Sequence, residues 1–178
     1  HKRECKKRAA ELHDEALFKE PPPNEECPIC FLPPPLDNAE IKYQVCCGKE
    51  ICIGCIYASE TADDRRLCPF CRASMKMSES ETLKRLKKRA EADDANAIFN
   101  LGVMYADGAM GLPQDLDRAM ELWQKAGDLG YSAAYNELAG AYRNGQDVER
   151  DRKKAKHYYE LAAMGGNVKA RYNLGTLE

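Results

Sequence analysis

Eight of the nine cysteines fall between Cys27 and Cys71, and their spacing carries the most specific chemistry in the chain. They run as Cys27-Pro28-Ile29-Cys30, the adjacent pair Cys46-Cys47, then Cys52-Ile53-Gly54-Cys55, and finally Cys68-Pro69-Phe70-Cys71. A Cys-x-x-Cys turn projects both sulfurs from one side of a tight loop, about 2.3 Å from a shared ion, so each knuckle supplies half a tetrahedron. Three knuckles and one pair are the ligand set of two structural Zn²⁺ ions. Neighbouring side chains in extended backbone point to opposite faces, so Cys46 and Cys47 can both serve only if the chain turns sharply there, which Gly48 permits. Failing that turn, one of the two is a spare thiol. Spacing alone allows either sequential or interleaved pairing of the knuckles.

A stretch of this length is too short to fold on apolar burial alone, and it is rich in proline and poor in long apolar runs. Metal is therefore expected to supply the folding energy, roughly 10–16 kcal/mol per site in small zinc peptides. Disulfides, the rival use of many cysteines, belong mainly to secreted chains, and the sequence shows no signal peptide, no apolar run of transmembrane length and no Asn-x-Ser/Thr acceptor. An intracellular compartment, cytoplasmic or nuclear, is expected. The net charge of −2 becomes −6 if eight thiolates meet two dications, a balance that gives no general attraction to nucleic acid or to an anionic membrane. No phosphate loop or nucleophile–base pair is present, and all three histidines lie outside the cysteine segment.

The ligand order from Cys27 through Cys71 resembles the RING finger. The resemblance implies a cross-brace, with Cys27, Cys30, Cys52 and Cys55 on one zinc and Cys46, Cys47, Cys68 and Cys71 on the other. It also implies a ubiquitin ligase that binds a ubiquitin-charged conjugating enzyme and accelerates transfer through orientation, without a nucleophile of its own. The family's contact surface falls on Ile29 and Pro69. Its cationic linchpin falls on Arg72, where an arginine fork suits the bridging of carbonyls. The family's groove aromatic falls on Ser59, leaving Tyr57 or Ile56 as a partial substitute.

The elements around these residues follow from periodicity. Lys2 to Glu20 reads as a charged helix with a stripe of Ala9, Leu12, Ala16 and Leu17, supported by Lys7–Glu11 and Glu15–Lys19 pairs. His13 is expected to lack a partner. Pro21-Pro22-Pro23 stops this helix and acts as a spacer, so residues 1–23 form one segment and 24–75 the zinc module. Leu32 to Asn38 reads as an irregular loop, Ile41, Tyr43 and Val45 as a short strand, and Ile56 to Ala62 as a short helix before the charged loop Asp63 to Arg66. Ser78-Glu79-Ser80-Glu81 has the form of a capping box, opening a linker helix over 78–94 whose cationic run, Lys84 to Arg89, is expected to be solvated. A nucleic-acid role for that run is disfavoured, because acids flank it and no aromatics interleave it.

From residue 95 the chain repeats itself. Leu101, Tyr105 and Gly108 recur 37 residues on as Leu138, Tyr142 and Gly145, while Ala119, Trp123, Ala126 and Gly130 recur 36 on as Ala155, Tyr159, Ala162 and Gly166. Ala134 and Leu138 recur as Ala170 and Leu174. The pattern resembles the Sel-one-like repeat, a relative of the tetratricopeptide repeat, over 95–178, with two full units and a truncated third. The resemblance implies a helical solenoid that binds protein segments. Small residues at Gly102, Ala126, Ala139 and Ala162 let paired helices approach, with Leu101, Tyr105 and Trp123 between them. The last helix, Lys169 to Leu177, is expected to leave an apolar edge, and the chain, which opens on His1 and stops within a repeat, is expected to be a segment of something longer.

The expected architecture is thus mainly α, with a small two-zinc cross-brace module containing a short β-hairpin and one helix, joined to an α-helical repeat solenoid. The expected function is a RING-type ubiquitin ligase or adaptor whose partners are a conjugating enzyme, ubiquitin and a protein held by the repeats. A non-catalytic scaffold, with the zinc finger as a structural or dimerising element, is the alternative.

Overall fold

The computed structural model describes residues 2–20, 26–33, 41–62, 66–145 and 148–177; the proline spacer at 21–23, most of the loop at 32–38 and all of the charged loop at 63–66 except Arg66 lie outside these. In chain order the elements are α1 (Lys2–Phe18), β1 (Ile41–Gln44), β2 (Lys49–Cys52), α2 (Ile53–Ala62), α3 (Glu79–Glu91), α4 (Ala95–Asp107), α5 (Leu116–Asp128), α6 (Ser132–Asn144), α7 (Arg152–Met164) and α8 (Val168–Gly175). The chain is mainly helical with one small hairpin, as the periodicities require. It divides into two compact units, one of residues 23–125 and one of residues 1–22 with 126–178.

In the first unit, β1 and β2 pair antiparallel, with Ile41 opposite Cys52 and Gln44 opposite Lys49. The turn between them carries Cys46 and Cys47. It closes through the N–H groups of Cys47 and Gly48, both donating to the carbonyl of Gln44 at 3.1 and 2.7 Å, and Gly48 adopts φ +72°, the left-handed conformation that glycine tolerates best. The strand thus makes the sharp bend that two adjacent thiols on one cluster demand. Ser78 caps α3 by accepting the N–H of Glu81 at 3.2 Å, whereas the Glu81 carboxylate turns to Arg85 at 2.8 Å, so only the forward half of the box forms. α3 packs on α4, burying Leu86 and Ala90 from one helix and Ala97, Ile98 and Leu101 from the other. A Cβ at Gly102 would stand 2.7 Å from the Trp123 ring, so α4 and α5 meet closely there because that residue has no side chain.

Arg89 departs from the expectation of a solvated cationic run. Its Nε donates to the carbonyl of Val45 at 2.7 Å, and Nη1 lies 3.4 Å from Asp94 Oδ2. The same Asp94 oxygen accepts the Tyr43 hydroxyl at 2.6 Å, while Oδ1 caps α4 through the N–H of Ala97 at 3.1 Å. Asn96 also donates to Glu50. The hairpin is therefore pinned to the start of the first repeat by a charged, partly buried network, and the alternation of charge that suggests a solvated face does not hold at the helix's last turn.

In the second unit, α6, α7 and α8 pack successively, and α1 lies on α7. Leu17, Ala139, Tyr159, Ala162, Ala163 and Ala170 form the core, with Leu174 and Leu177 partly buried against it. The edge expected to stay open is thus partly covered by α1. Of the α1 stripe, Leu17 is buried but Leu12 remains half exposed, since burial is confined to the C-terminal part of the helix. His13 has carboxylates nearby, Asp14 and Glu160 each at 3.7 Å. The Lys7–Glu11 pair forms at 4.0 Å, whereas Glu15 meets Arg8 at 3.8 Å where Lys19 was expected. Buried Asn136 is satisfied by Asn173, whose amide donates to it at 3.1 Å.

Candidate metal centre

The cysteines assemble from four turns of the first unit. The first and third knuckles have the same backbone design: the N–H of Phe31 donates to Cys27 O at 2.9 Å and that of Arg72 to Cys68 O at 2.9 Å, while the N–H groups of Cys27 and Cys68 donate to Leu32 O and Ala73 O at 3.0 and 2.8 Å. Both loops force the residue after the second cysteine to positive φ, 57° at Phe31 and 61° at Arg72. An L-residue there costs about 1–2 kcal/mol. Cys52 ends β2 and Cys55 lies in the first turn of α2, so a strand-to-helix junction forms the middle knuckle.

Two groups of four sulfurs result, each with all its Sγ atoms within 4.8 Å of one another: Cys27, Cys30, Cys52 and Cys55 in one, Cys46, Cys47, Cys68 and Cys71 in the other. Of the pairings that spacing allows, the interleaved one is observed. Adjacent ligands of a tetrahedral zinc at about 2.3 Å stand about 3.8 Å apart. Cys30 and Cys52 sulfurs are 3.8 Å apart, and Cys47 and Cys68 sulfurs 3.9 Å. A disulfide needs about 2.05 Å, and all nine cysteines are free. The donor set and its spacing fit a zinc ion in each group.

Electrostatics point the same way. Burial opposes ionisation of Cys27, but N–H groups of Cys30, Cys52 and Ile29 outweigh it and lower that thiol to about 6. Burial and the neighbouring Cys52, Cys30 and Cys27 push Cys55 up. In the other group, burial and the Cys71 and Cys68 thiols raise Cys46. Cys71 is lowered despite burial, by the Ala73 N–H and by its cysteine neighbours. One thiolate in each group thus opposes the next, and a dication bound there would supply the countercharge that four thiolates need. The apolar support is slight: Ile51 and Ile56 are buried with Cys27 and Cys68, and Ile29 and Met75 pack against them.

The remaining residues singled out by sequence are placed as follows. Ile29 is half-buried against this small core, Pro69 is half-buried, and Arg72 is exposed. Ser59 is half-buried, with its hydroxyl donating to Leu67 O at 3.2 Å. Ile56 is buried, so it presents no surface, whereas Tyr57 is 68% exposed. Phe31, Leu32, Ile53 and Phe70 are also exposed apolar side chains of this module. Sequence reasoning passed over Phe31 and Phe70, although each sits in or directly after a Cys-Pro-x-Cys knuckle that leaves little room to bury a ring.

Comparison with known proteins bears on the helical half. The Sel1 repeat family matches residues 95–131 and 132–167 and does not extend to the cysteine segment. The chain is 32% identical over 100 residues to the ERAD-associated E3 ubiquitin-protein ligase component HRD3B of Arabidopsis thaliana, which is 56% of this chain and 15% of that protein. It is 32% identical over 92 residues to HRD3, a component of the same description from Candida glabrata, covering 51% of this chain and 11% of that one. Cytochrome c oxidase assembly factor 7 of Xenopus tropicalis is 31% identical over 68 residues, 38% of this chain and 29% of its own. The chain therefore spans under a third of each of these relatives. Among solved structures, a Sel1 repeat protein from Oxalobacter formigenes aligns with a TM-score of 0.55 at 31% identity, over 59% of this chain and 42% of that one. The protective antigen c5321 of uropathogenic Escherichia coli, which displays an SLR fold, aligns at 0.50 and 36% identity over 53% of this chain and 20% of that one. Residues 95–167 are accordingly two Sel1 repeats.

Proposed function

We propose that the cysteine segment is a RING-type module binding two zinc ions, that it recruits a ubiquitin-charged conjugating enzyme, and that the Sel1 repeats hold a protein partner or substrate. The observation that carries this reading is the interleaving: each four-sulfur group takes its first two members from one turn and its last two from a turn beyond the other group's pair. Held by four thiolates in each group, zinc would leave no open position for chemistry and would tie distant turns into one docking face.

The work falls to the chain's own side chains. Ile29 and Pro69 stand in the first and third knuckles, whose backbone designs match, and Phe31, Phe70 and Tyr57 extend the apolar surface of the module. Arg72 follows the last cysteine with its backbone fixed by the hydrogen bond to Cys68 and its side chain in solvent. An exposed guanidinium on a fixed stem can donate to carbonyls of two docked proteins at once, restricting a flexible thioester to reactive orientations. Relatives named as components of ubiquitin ligases support the association of such repeats with this chemistry.

One observation favours the rival scaffold reading. Ser59 is engaged with Leu67 O, so the groove position offers no aromatic and Tyr57 must serve in its place. Autoubiquitination with a panel of conjugating enzymes separates the two. Chain formation that is lost in Arg72→Ala with zinc content unchanged supports the ligase, and silence across the panel supports the scaffold.

A further inference from the structure

The unit of residues 1–22 and 126–178 contains a cleft of about 620 Å³ with Leu17, Leu174 and Leu177 as its apolar floor and Phe18 beside them, lined also by Arg152, Lys153, Lys156 and Arg171 and by the carboxylates of Asp14 and Glu160. That volume lies within the ordinary range of ligand sites, about 300–1,000 Å³. Beside it lies a second hollow of about 550 Å³, which shares Arg152 and Lys153 and adds Tyr142, Arg150 and Lys154, with Glu149 and Asp151 as its two carboxylates against four cations. The two adjoin at Arg152 and Lys153, in the first turn of α7.

The charges here are unevenly answered. Asp151 accepts the N–H groups of Lys153 and Lys154 at the start of α7, at 2.9 and 3.0 Å. Glu160 already faces Lys156 at 3.9 Å and His13 at 3.7 Å. Lys154 stands over the Tyr142 ring, 4.8 Å from its centroid. No ion pair joins Arg150, Arg152 or Lys153 to a carboxylate among the described residues; Arg171, by contrast, donates through Nη2 to the carbonyls of Lys19 and Ala163 at 2.5 and 3.4 Å, and only its buried Nε lacks an acceptor among them. A helix dipole disfavours cations at its N-terminus, so helix stability does not account for Arg152, Lys153 and Lys154 in that turn. Phe18, meanwhile, is 77% exposed at the cleft. Unanswered cations beside an unfilled apolar floor match a chain that brings carboxylates and one apolar side chain together.

We propose that this double cleft binds an extended acidic protein segment, with one large apolar side chain on the Leu17, Leu174 and Leu177 floor and flanking carboxylates on Arg150, Arg152 and Lys153. The inference deepens the partner-binding part of the function proposed above and rests on it, but it requires no conjugating enzyme.

The test uses the full zinc-loaded chain and fluorescein-labelled 12-residue peptides: one of Asp and Glu with a single central Leu, one with that Leu replaced by Ala, and one with the acids replaced by Lys. Fluorescence anisotropy is expected to show binding of the acidic Leu peptide, at least tenfold weaker binding of the Ala peptide, and weakening with salt. In Arg152→Glu/Lys153→Glu, checked for an unchanged circular-dichroism melt, the acidic peptide is expected to weaken at least tenfold and the Lys peptide to gain. No binding by the natural chain overturns the proposal, as does equal binding to the double variant. So do equal competition by a 12-residue oligouridylate, which would make the surface a general polyanion site, and sedimentation showing that this face pairs two copies of the chain. Peptide failure with ubiquitin chain formation intact removes only this inference, whereas ubiquitin silence with peptide binding intact removes only the ligase.

Discussion

Replacing Gly48 by alanine tests whether the cysteine-bearing turn and the first repeat are held together as the structure indicates. Gly48 sits at φ +72°, so any L-residue there loses about 1–2 kcal/mol from backbone strain alone. Its Cβ would also collide with Arg89 Nη1 and stand 3.0 Å from Arg89 Cζ and 3.1 Å from Asp94 Oδ2. The guanidinium is the far end of a flexible side chain, but it is fixed at 2.7 Å to Val45 O. Moving it forfeits a hydrogen bond to a charged group, worth about 1.5–3 kcal/mol, with the lower end appropriate because the Arg89 side chain is 28% exposed. The sum is about 2–4 kcal/mol. Trp123, the chain's single tryptophan, is 6% exposed in the first repeat, so its fluorescence during urea unfolding reads that repeat directly. Gly48→Ala, Arg89→Ala and the double variant form a cycle. The expected result is that Gly48→Ala lowers the Trp123 midpoint, and lowers it less when Arg89 is already alanine, since the collision with the guanidinium is then gone and the backbone strain and the tight approach to Asp94 remain. Additive effects would refute the link between the turn and Arg89, and an unmoved midpoint in all three variants would refute the coupling altogether.

Gly102→Ala drives a methyl to 2.7 Å from the Trp123 ring and 3.2 Å from Ala119 O; overpacking of that kind costs about 1–3 kcal/mol, so the same fluorescence midpoint is expected to fall, and an unchanged midpoint would mean that α4 and α5 are not closely packed. Tyr135 is pushed up to about 12 by burial and by its hydrogen bond to Asp128, whereas an unfolded tyrosine titrates near 10. Between those values the unfolded chain binds fewer protons, so stability present below about pH 10 is lost as pH rises toward 12. Thermal melts by circular dichroism are expected to fall less steeply across that window in Tyr135→Phe, and parallel slopes would contradict the assignment. Asp94→Ala removes both the α4 cap and the acceptor of Tyr43, and should cost about 1 kcal/mol through the cap alone. Tyr43→Phe in that background is then expected to have almost no further effect, which urea midpoints would show.

What the sequence revealed and concealed divides along physical lines. The repeats are legible because Leu101, Gly102, Trp123 and Ala126 are constrained by helix pairing, and the same constraint returns 36 or 37 residues later at Leu138, Ala139, Tyr159 and Ala162. Eight thiols in that spacing suit a metal, but spacing leaves the grouping open; only the resemblance to the RING finger implied the interleaved grouping that the structure displays. The link from Arg89 to Val45 and from Tyr43 to Asp94 joins residues 44 and 51 positions apart, and no local pattern encodes such a contact. Arg89 reads as one more cation on a charged helix. Phe31 and Arg72 are likewise silent about their left-handed backbone, because the knuckle imposes it against their own preference. The docking of α1 on α7 was concealed because one buried leucine on a helix that is otherwise mostly charged is too weak a stripe to name its partner.

Native mass spectrometry of the chain refolded with zinc bears most directly on the claim that two interleaved four-thiol groups organise the cysteine segment. Two ions per chain are expected, falling to one in Cys46→Ser and in Cys47→Ser separately, and also to one in Cys27→Ser, with none left in the combination of Cys27→Ser and Cys46→Ser. A chain that binds no zinc, or one that keeps both ions after loss of either Cys46 or Cys47, would contradict the account.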